Sequence, residues 1–149
     1  RRELTQQIER IELPHQHGEA RGAIIADRIH NGHRLRVITT DLDIRISERI
    51  RQTHALSQHL TSRRRCQENC VLLGDLNEWF PWRGHFRALR SQFDAVSKLS
   101  TFPVKPSLFA LDRIALRGNF HDYRFQTDDT ELAKLASDHR PLICDVDWH

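Results

Sequence analysis

The stretch VLLGDLNEW, residues 71–79, joins a short apolar run directly to a cluster of polar side chains. The run from Val71 to Gly74 predicts a short buried strand. Asp75 and Asn77 follow it two positions apart, so in an extended chain both side chains point to the same side. A strand end can hold such groups rigidly at the rim of a sheet. The stretch therefore predicts a strand that delivers a carboxylate and an amide to one site.

Two further segments place ionisable side chains where a predicted strand begins. LDRI, residues 111–114, contains Asp112, and SDHRP, residues 137–141, contains Asp138 and His139. Each segment alone has an ordinary explanation, because Asp and Asn commonly bond their own backbone in turns and an Asp-His pair is commonly a surface pair. The three segments together, in this order, indicate one functional site more specifically than any of them does alone. The alternative is a plain α/β domain in which they match by chance and do not converge on one cleft.

Apolar periodicity outlines the remaining elements. A short segment rich in Ile and Ala precedes Asn31-Gly32 and an alternating segment follows it; this dipeptide is typical of hairpin turns because both residues tolerate positive φ. An apolar stripe that starts at Ile46 and Ile50 predicts a helix with Ser47 as its N-cap. The predicted strands are 22–28, 33–40, 71–74, 111–116, 120–126 and 141–148, the predicted helices are 47–60 and about 85–99, and residues 1–18 are predicted to be loosely structured. This pattern predicts a layered α/β sandwich.

Composition excludes several classes of protein. The chain has 149 residues, a net charge of +3, 38% hydrophobic and 29% charged residues. These values favour one globular domain over a disordered chain, and no apolar run approaches the roughly 18 residues of a membrane span. The three cysteines, Cys66, Cys70 and Cys144, form no CxxC pair. Reduced thiols in a cytoplasmic protein are therefore expected rather than a disulfide framework.

In this order, the GDLN, LDRI and SDH segments resemble the endonuclease/exonuclease/phosphatase superfamily, whose members are exonuclease III-like and deoxyribonuclease I-like. The resemblance extends over about residues 12 to 149 and includes four smaller features, in 19–22 (EARG), 37–43 (VITTDLD), 48–56 (a helix with Arg49, Gln52 and Leu56) and 101–103 (TFP). It implies an α/β four-layer α-β-β-α sandwich with the N-terminal strands missing. Residues 1–149 would then be the C-terminal portion of a single domain.

The resemblance also implies a reaction, the metal-dependent hydrolysis of a phosphate ester by an activated water. Asp75 would orient or deprotonate the water, Asn77 would hold the water and the phosphate, and His139 would donate to a phosphate oxygen. Asp112 would fix the tautomer of His139, and Asp138 would be a ligand of Mg²⁺ or Mn²⁺. The chemistry needs these residue types, because carboxylates suit hard cations and an imidazolium is a better electrophile than a neutral ring. We therefore expect Asp112 to raise the pKa of His139.

The substrate and the activity of the chain itself stay open at this point. Nuclease, phosphatase and phospholipase substrates are all compatible with the pattern, and nucleic acid is one of them; the oligomeric state is unknown. Trp79 and Trp82 suit stacking on a base or sugar as well as packing. The Asn and metal-binding Glu of the family's first two strands have no counterpart here. We therefore expect an enzyme in the full-length parent and little activity in the 149 residues alone; the alternative is a catalytically decayed relative that acts as a binding module.

Asp41 departs from the family pattern. It stands where the Thr-His-Leu segment has its His, which in other members pairs with a Glu resembling Glu19. Two carboxylates at this place allow three interpretations: one is protonated, the pair binds a cation, or the role is lost.

Overall fold

The computed structural model describes residues 5–30, 32–62, 69–80 and 85–148. Eight strands and three helices lie within these ranges. The strands are β1 (Thr5–Leu13), β2 (Arg21–His30), β3 (His33–Asp41), β4 (Asn69–Asp75), β5 (Ala95–Val96), β6 (Asp112–Arg117), β7 (Phe120–Thr127) and β8 (Leu142–Trp148), and the helices are α1 (Ile46–Ser62), α2 (His85–Arg90) and α3 (Glu131–Ala136).

Six strands form one sheet in the order β1-β2-β3-β4-β6-β5, and β7 and β8 form a second, antiparallel sheet. Within the large sheet β3 and β4 are parallel, and α1 lies in the crossover between them. The β2–β3 pairing continues to His30 opposite His33, as the predicted hairpin requires. Asn31 of that turn lies outside the described residues, as do Arg63 to Arg65, Cys66 and Trp82.

Successive side chains of β4 point to opposite faces of the sheet and belong to two separate apolar clusters. Cys70 and Leu72 are buried on the side of α1 and α2, where they join the larger apolar cluster. Val71 and Leu73 belong to the cluster against β7 and β8 on the other side. A strand that is apolar on both faces is typical of a central position between layers. Packing on both faces therefore fixes the position of β4 and of the residues at its end.

Helix α1 covers the predicted range but buries a different face from the one expected. Ile46 and Ile50 are both 42% exposed, whereas Glu48, Arg49 and Gln52 are buried. The apolar stripe serves the core only in the second half of the helix. In the first half, buried polar groups hold the loop after β3: Gln52 Oε1 accepts the Asp43 N–H at 2.8 Å. Arg49 donates to the carbonyl oxygens of Asp43 and Ile44.

Two expectations about secondary structure were wrong, and one helix was missed. The segment 1–18 is not loosely structured throughout, since Thr5–Leu13 forms β1 and pairs with β2 along most of its length. The second helix does not reach residue 99: α2 ends at Arg90, and Val96 instead pairs with Ala115 of β6. Helix α3 was not predicted; its N-cap is Thr130, whose side chain accepts the Ala133 N–H.

Among the described residues, no helix is both long enough and apolar enough to cross a membrane. Cys70 and Cys144 are free thiols.

Candidate functional site

Three aspartates lie side by side across the large sheet. Asp41 ends β3, Asp75 ends β4 and Asp112 begins β6, and the strand register pairs Asp41 with Asp75 and Asp75 with Asp112. Residues paired in this way point to the same face of a sheet, which here is the face covered by β7 and β8. The sequence therefore builds a row of carboxylates at one end of the sheet.

Asp112, at one end of this row, is bonded to a histidine. Its Oδ2 lies 2.7 Å from His139 Nδ1, and both side chains are about three-quarters covered, with 24% and 27% of their surface exposed. The contact that the sequence analysis expected is present. Because Asp112 accepts the Nδ1 proton, the other ring nitrogen, Nε2, is left to meet a substrate.

The loop before β8 holds His139 in place through its backbone. The His139 N–H donates to Ser137 Oγ at 3.0 Å, and the carbonyl oxygen of Asp138 accepts from the Val104 N–H at 2.7 Å. The ring of Phe102 lies 4.9 Å from the His139 ring, centroid to centroid. The segment 101–104 therefore supports His139 through the Phe102 ring and the Val104 N–H.

Asn77 lies in a tight turn directly after the row. It has a positive φ of 49°, its backbone N–H donates to Asp75 Oδ1 at 2.8 Å, and its Nδ2 donates to the Leu42 carbonyl at 2.8 Å. Gly74 is required just before this turn, since a Cβ there would lie 1.8 Å from the Thr40 carbonyl oxygen. The GDLN segment thus fixes the direction of the Asp75 carboxylate and ties it to the β3–α1 loop.

The side chains at this end form a candidate metal centre. One ligand atom from each of Asp75, Asp112 and His139 lies within 4.8 Å of the other two. Carboxylate oxygens are the donors that hard divalent cations prefer, so the group is compatible with such an ion. Asp138 is exposed and lies outside this group, so its assignment as a metal ligand stays a prediction.

Burial and neighbouring charge alter the acidity of two of these groups. Burial raises the pKa of Asp75, and the carboxylates of Asp112 and Asp41 add to this effect against the Asn77 N–H and His139, which lower it. Burial lowers the pKa of His139, but the hydrogen bond and charge of Asp112, with Asp75 and Asp138, outweigh it and leave that pKa raised. Asp75 is thereby made more basic and His139 is kept protonated to higher pH.

An arginine occupies the other end of the row. Arg21 forms a close ion pair with Asp41, and its second terminal nitrogen lies 3.6 Å from Glu19 Oε2. A guanidinium therefore lies between the two carboxylates that the sequence analysis considered as a pair. Sequence reasoning quoted Arg21 but gave it no role. The signal was available, since an arginine two residues from Glu19 on the strand beside Asp41 is well placed to neutralise both.

Trp79 also lies near the site. Its ring contacts Phe102 at 5.6 Å edge-to-face and Phe109 at 5.0 Å. Trp79, Phe102 and His139 thus form a continuous row of rings along the rim.

No protein-family model matches this sequence, and no curated protein matches it either. Solved structures do match. A mannosyl-6-phosphatase of Bacteroides thetaiotaomicron is similar over 97% of this chain and 67% of its own, with 14% identity and a TM-score of 0.71. An endonuclease/exonuclease/phosphatase protein from Bacteroides vulgatus is similar over 98% and 66%, with 13% identity and a TM-score of 0.77. D. rerio TDP2 complexed with single-strand DNA product is similar over 97% and 68%, with 16% identity and a TM-score of 0.71.

The chain spans about two thirds of the length of these structures. Its sheet order, its row of carboxylates and these likenesses agree with the fold that the motifs predicted. The chain has the deoxyribonuclease I-like fold, which it shares with these three structures.

Proposed function

We propose that the protein is a phosphoesterase that hydrolyses a phosphate ester with an activated water and a divalent cation. The observation that carries this proposal is the group of Asp75, Asp112 and His139, whose ligand atoms lie within 4.8 Å of one another at the end of two paired strands. This group combines a base, an oriented imidazole and carboxylate oxygens. Each of the three can assist the hydrolysis of a phosphate ester.

Asp75 is the candidate base. The Asn77 N–H holds its Oδ1, so the carboxylate meets the attacking water in one orientation. Burial raises the pKa of Asp75, and a more basic carboxylate takes a proton from water more readily. Asn77 itself is only 9% exposed and is anchored to Leu42, so its part is to keep this turn rigid and to position the water.

His139 is the candidate electrophile. With Nδ1 bonded to Asp112, its Nε2–H is free to donate to a phosphate oxygen as negative charge develops there. Asp112 favours the imidazolium form and prevents the ring from rotating. The arrangement resembles the orienting role of a carboxylate on histidine in other hydrolases.

Mg²⁺ or Mn²⁺ would be held by Asp138 on the loop before β8, which leaves the Asp75 carboxylate to act as the base, and the ion would supply positive charge against the phosphate oxygens when bound. Asp112 keeps its Oδ2 for His139. Nucleic acid belongs among the proposed substrates, since D. rerio TDP2 was solved with single-strand DNA product, and sugar phosphates do as well, since one similar structure is a mannosyl-6-phosphatase.

The test is turnover by the full-length protein of bis(4-nitrophenyl) phosphate and 4-nitrophenyl phosphate, with Mg²⁺ or Mn²⁺ and with a chelator. We expect turnover of at least one ester that the chelator abolishes. His139→Gln is expected to lower kcat/KM by about 10²–10⁴-fold. His33→Gln is the matched control, because His33 is exposed at the opposite end of β3.

Two results would contradict the proposal. Turnover that survives chelation would remove the cation from the reaction. Tight binding of a phosphate ester with no turnover under any metal would instead favour the binding-module alternative, in which the arginine-bound Asp41 is one sign of wider decay.

A further inference from the structure

A cavity of about 420 Å³ lies beside the row of rings, on the helix side of β6. Trp79, Phe86 and Phe109 give it aromatic walls, and Leu108 at its edge is 64% exposed. Arg113 lines it from β6, where it points away from the face that carries Asp112. The cavity is therefore a space next to the catalytic rim but separate from the carboxylate row.

Cationic side chains dominate the polar lining of this cavity. Among the described residues its cations are Arg90, Lys98 and Arg113, and its one carboxylate is Glu78, which is only 2% exposed and accepts the Phe80 N–H. Within the part of the chain that the structure describes, neither Arg90 nor Lys98 forms an ion pair. Glu78 acts on the charge of Arg113, so the positive charge that the described residues leave unneutralised in this cavity is that of Arg90 and Lys98.

Arg113 is a buried side chain in a fixed orientation, unlike a charged side chain on the surface. It is 7% exposed, its terminal NH1 donates to the Ser97 carbonyl at 2.8 Å, and its Nε has no hydrogen-bond partner among the described residues. Ser97 is in turn locked to β6 by two bonds with Ile114. The Glu78 carboxylate already acts on this charge, and the unpartnered Nε is a remaining cost that an anion in the cavity would reduce.

The rings connect this cavity to His139. From His139 the row runs through Phe102, at 4.9 Å, to Trp79, at 5.6 Å, and Trp79 is a wall of the cavity. The path from His139 to this wall of the cavity therefore takes two ring-to-ring steps, of 4.9 and 5.6 Å. Flat, apolar groups stack well on such a surface.

We propose that this cavity binds the leaving group of the substrate, and that this group is planar, about two rings long, and ends in an anion. The inference rests on the proposed function, because it names the class of phosphate ester that the same site accepts. Aromatic walls select the planar part, and Arg90, Lys98 and Arg113 select the terminal charge. A nucleotide, with a flat base and further phosphate, has the same combination of features.

The test uses two synthetic esters in the full-length protein, biphenyl-4-yl phosphate and its 4′-carboxy derivative. They share the scissile bond and differ in one remote charge. We expect the carboxylated ester to have the lower KM. Lys98→Gln and Arg90→Gln are each expected to reduce this preference by about fivefold, the upper range for an exposed charge pair. Arg87→Gln, an exposed arginine of α2 that does not line the cavity, is the matched control.

Direct binding of 4′-carboxybiphenyl-4-yl phosphonate, which cannot be hydrolysed, separates this inference from the proposed function. Binding that weakens in Lys98→Gln and Arg90→Gln but not in Arg87→Gln supports the cavity even if no ester is turned over. Equal affinity for the phosphonates with and without the carboxylate would overturn the inference. So would a preference that neither of the two cavity variants reduces.

Discussion

The two ends of the aspartate row begin from the same residue type at matched register positions, yet they have different partners. Asp112 is bonded to His139 and is 24% exposed, whereas Asp41 is paired with Arg21 and is 57% exposed. An imidazole can give and take a proton near neutral pH, but a guanidinium keeps its proton throughout that range. The partner, rather than the carboxylate, decides which end of the row is suited to proton chemistry.

Asp75 lies between these ends and is influenced by both. Burial is the largest cause of its raised pKa, and Asp112 and Asp41 add to it while His139 opposes it. The neighbouring Asn77 N–H fixes its direction. In the function proposed above, the reaction takes place at Asp75 and the Asp112–His139 end, and the Asp41–Arg21 end has only an electrostatic part.

The largest effect on activity is expected when a substitution of Asp112 removes the hydrogen-bond partner of His139. Asp112→Asn keeps the shape of the side chain but no longer favours the imidazolium, so we expect kcat/KM to fall by about 10²–10⁴-fold. The comparison is with Asp122→Asn, an exposed carboxylate on β7. A loss no larger than in Asp122→Asn would show that the Asp112–His139 contact has no part in turnover.

The second prediction concerns the protonation of His139 itself. In the metal-free protein, NMR titration of the ring is expected to give a pKa above the ordinary value of about 6.5, because the hydrogen bond and charge of Asp112 outweigh the effect of burial. Asp112→Asn is expected to lower that pKa. An unchanged titration in this variant would mean that the 2.7 Å contact does not stabilise the charged ring.

The same pKa has a consequence for stability. A histidine whose pKa is raised by folding stabilises the fold fully below its unfolded pKa, and this contribution is lost as pH rises through the folded-state pKa. Urea unfolding at about pH 6 and about pH 9 should therefore show a larger cost of Asp112→Asn at the lower pH. A cost that grows toward pH 9 would have the wrong sign.

The smallest effect is expected at the opposite end. Asp41→His breaks the exposed ion pair with Arg21, which at most contributes about 1 kcal/mol, so kcat/KM is expected to stay within about fivefold of the wild type. Activity could rise if Glu19 orients the new ring. A loss as large as that of Asp112→Asn would place Asp41 among the reacting groups and remove the distinction between the two ends.

Much of the Asp112–His139 end was predictable from sequence, because polar residues at strand ends follow from apolar runs that stop abruptly. The apolar run from Val71 to Gly74 predicts where Asp75 lies, and the family resemblance of the three motifs implies that Asp112 and His139 meet. Their chemical roles stay predictions, since a distance of 2.7 Å shows a contact and not a reaction.

The missed elements depend on distant partners. Strand β1 has little strand character of its own and exists because β2 offers it an edge. Val96 suits a helical stripe as well as a strand, and its pairing with Ala115 decides the outcome. Helix α3 has only six residues, too few to show an apolar periodicity in the sequence, although Thr130 is a good N-cap. In the structure its Leu132 and Leu135 are 77% and 85% exposed, and Ala133 is its buried residue.

The most direct test of the central claim is kcat/KM for Asp75→Asn and Asp41→Asn in the full-length protein, on one phosphodiester and one phosphomonoester at fixed Mg²⁺. The two variants make the same chemical change at paired positions of adjacent strands. We predict that Asp75→Asn lowers kcat/KM by about 10²–10⁴-fold, and that Asp41→Asn stays within about fivefold of the wild type. Equal damage from the two variants would contradict the account, because Asp41 would then be a primary catalytic or metal-binding residue.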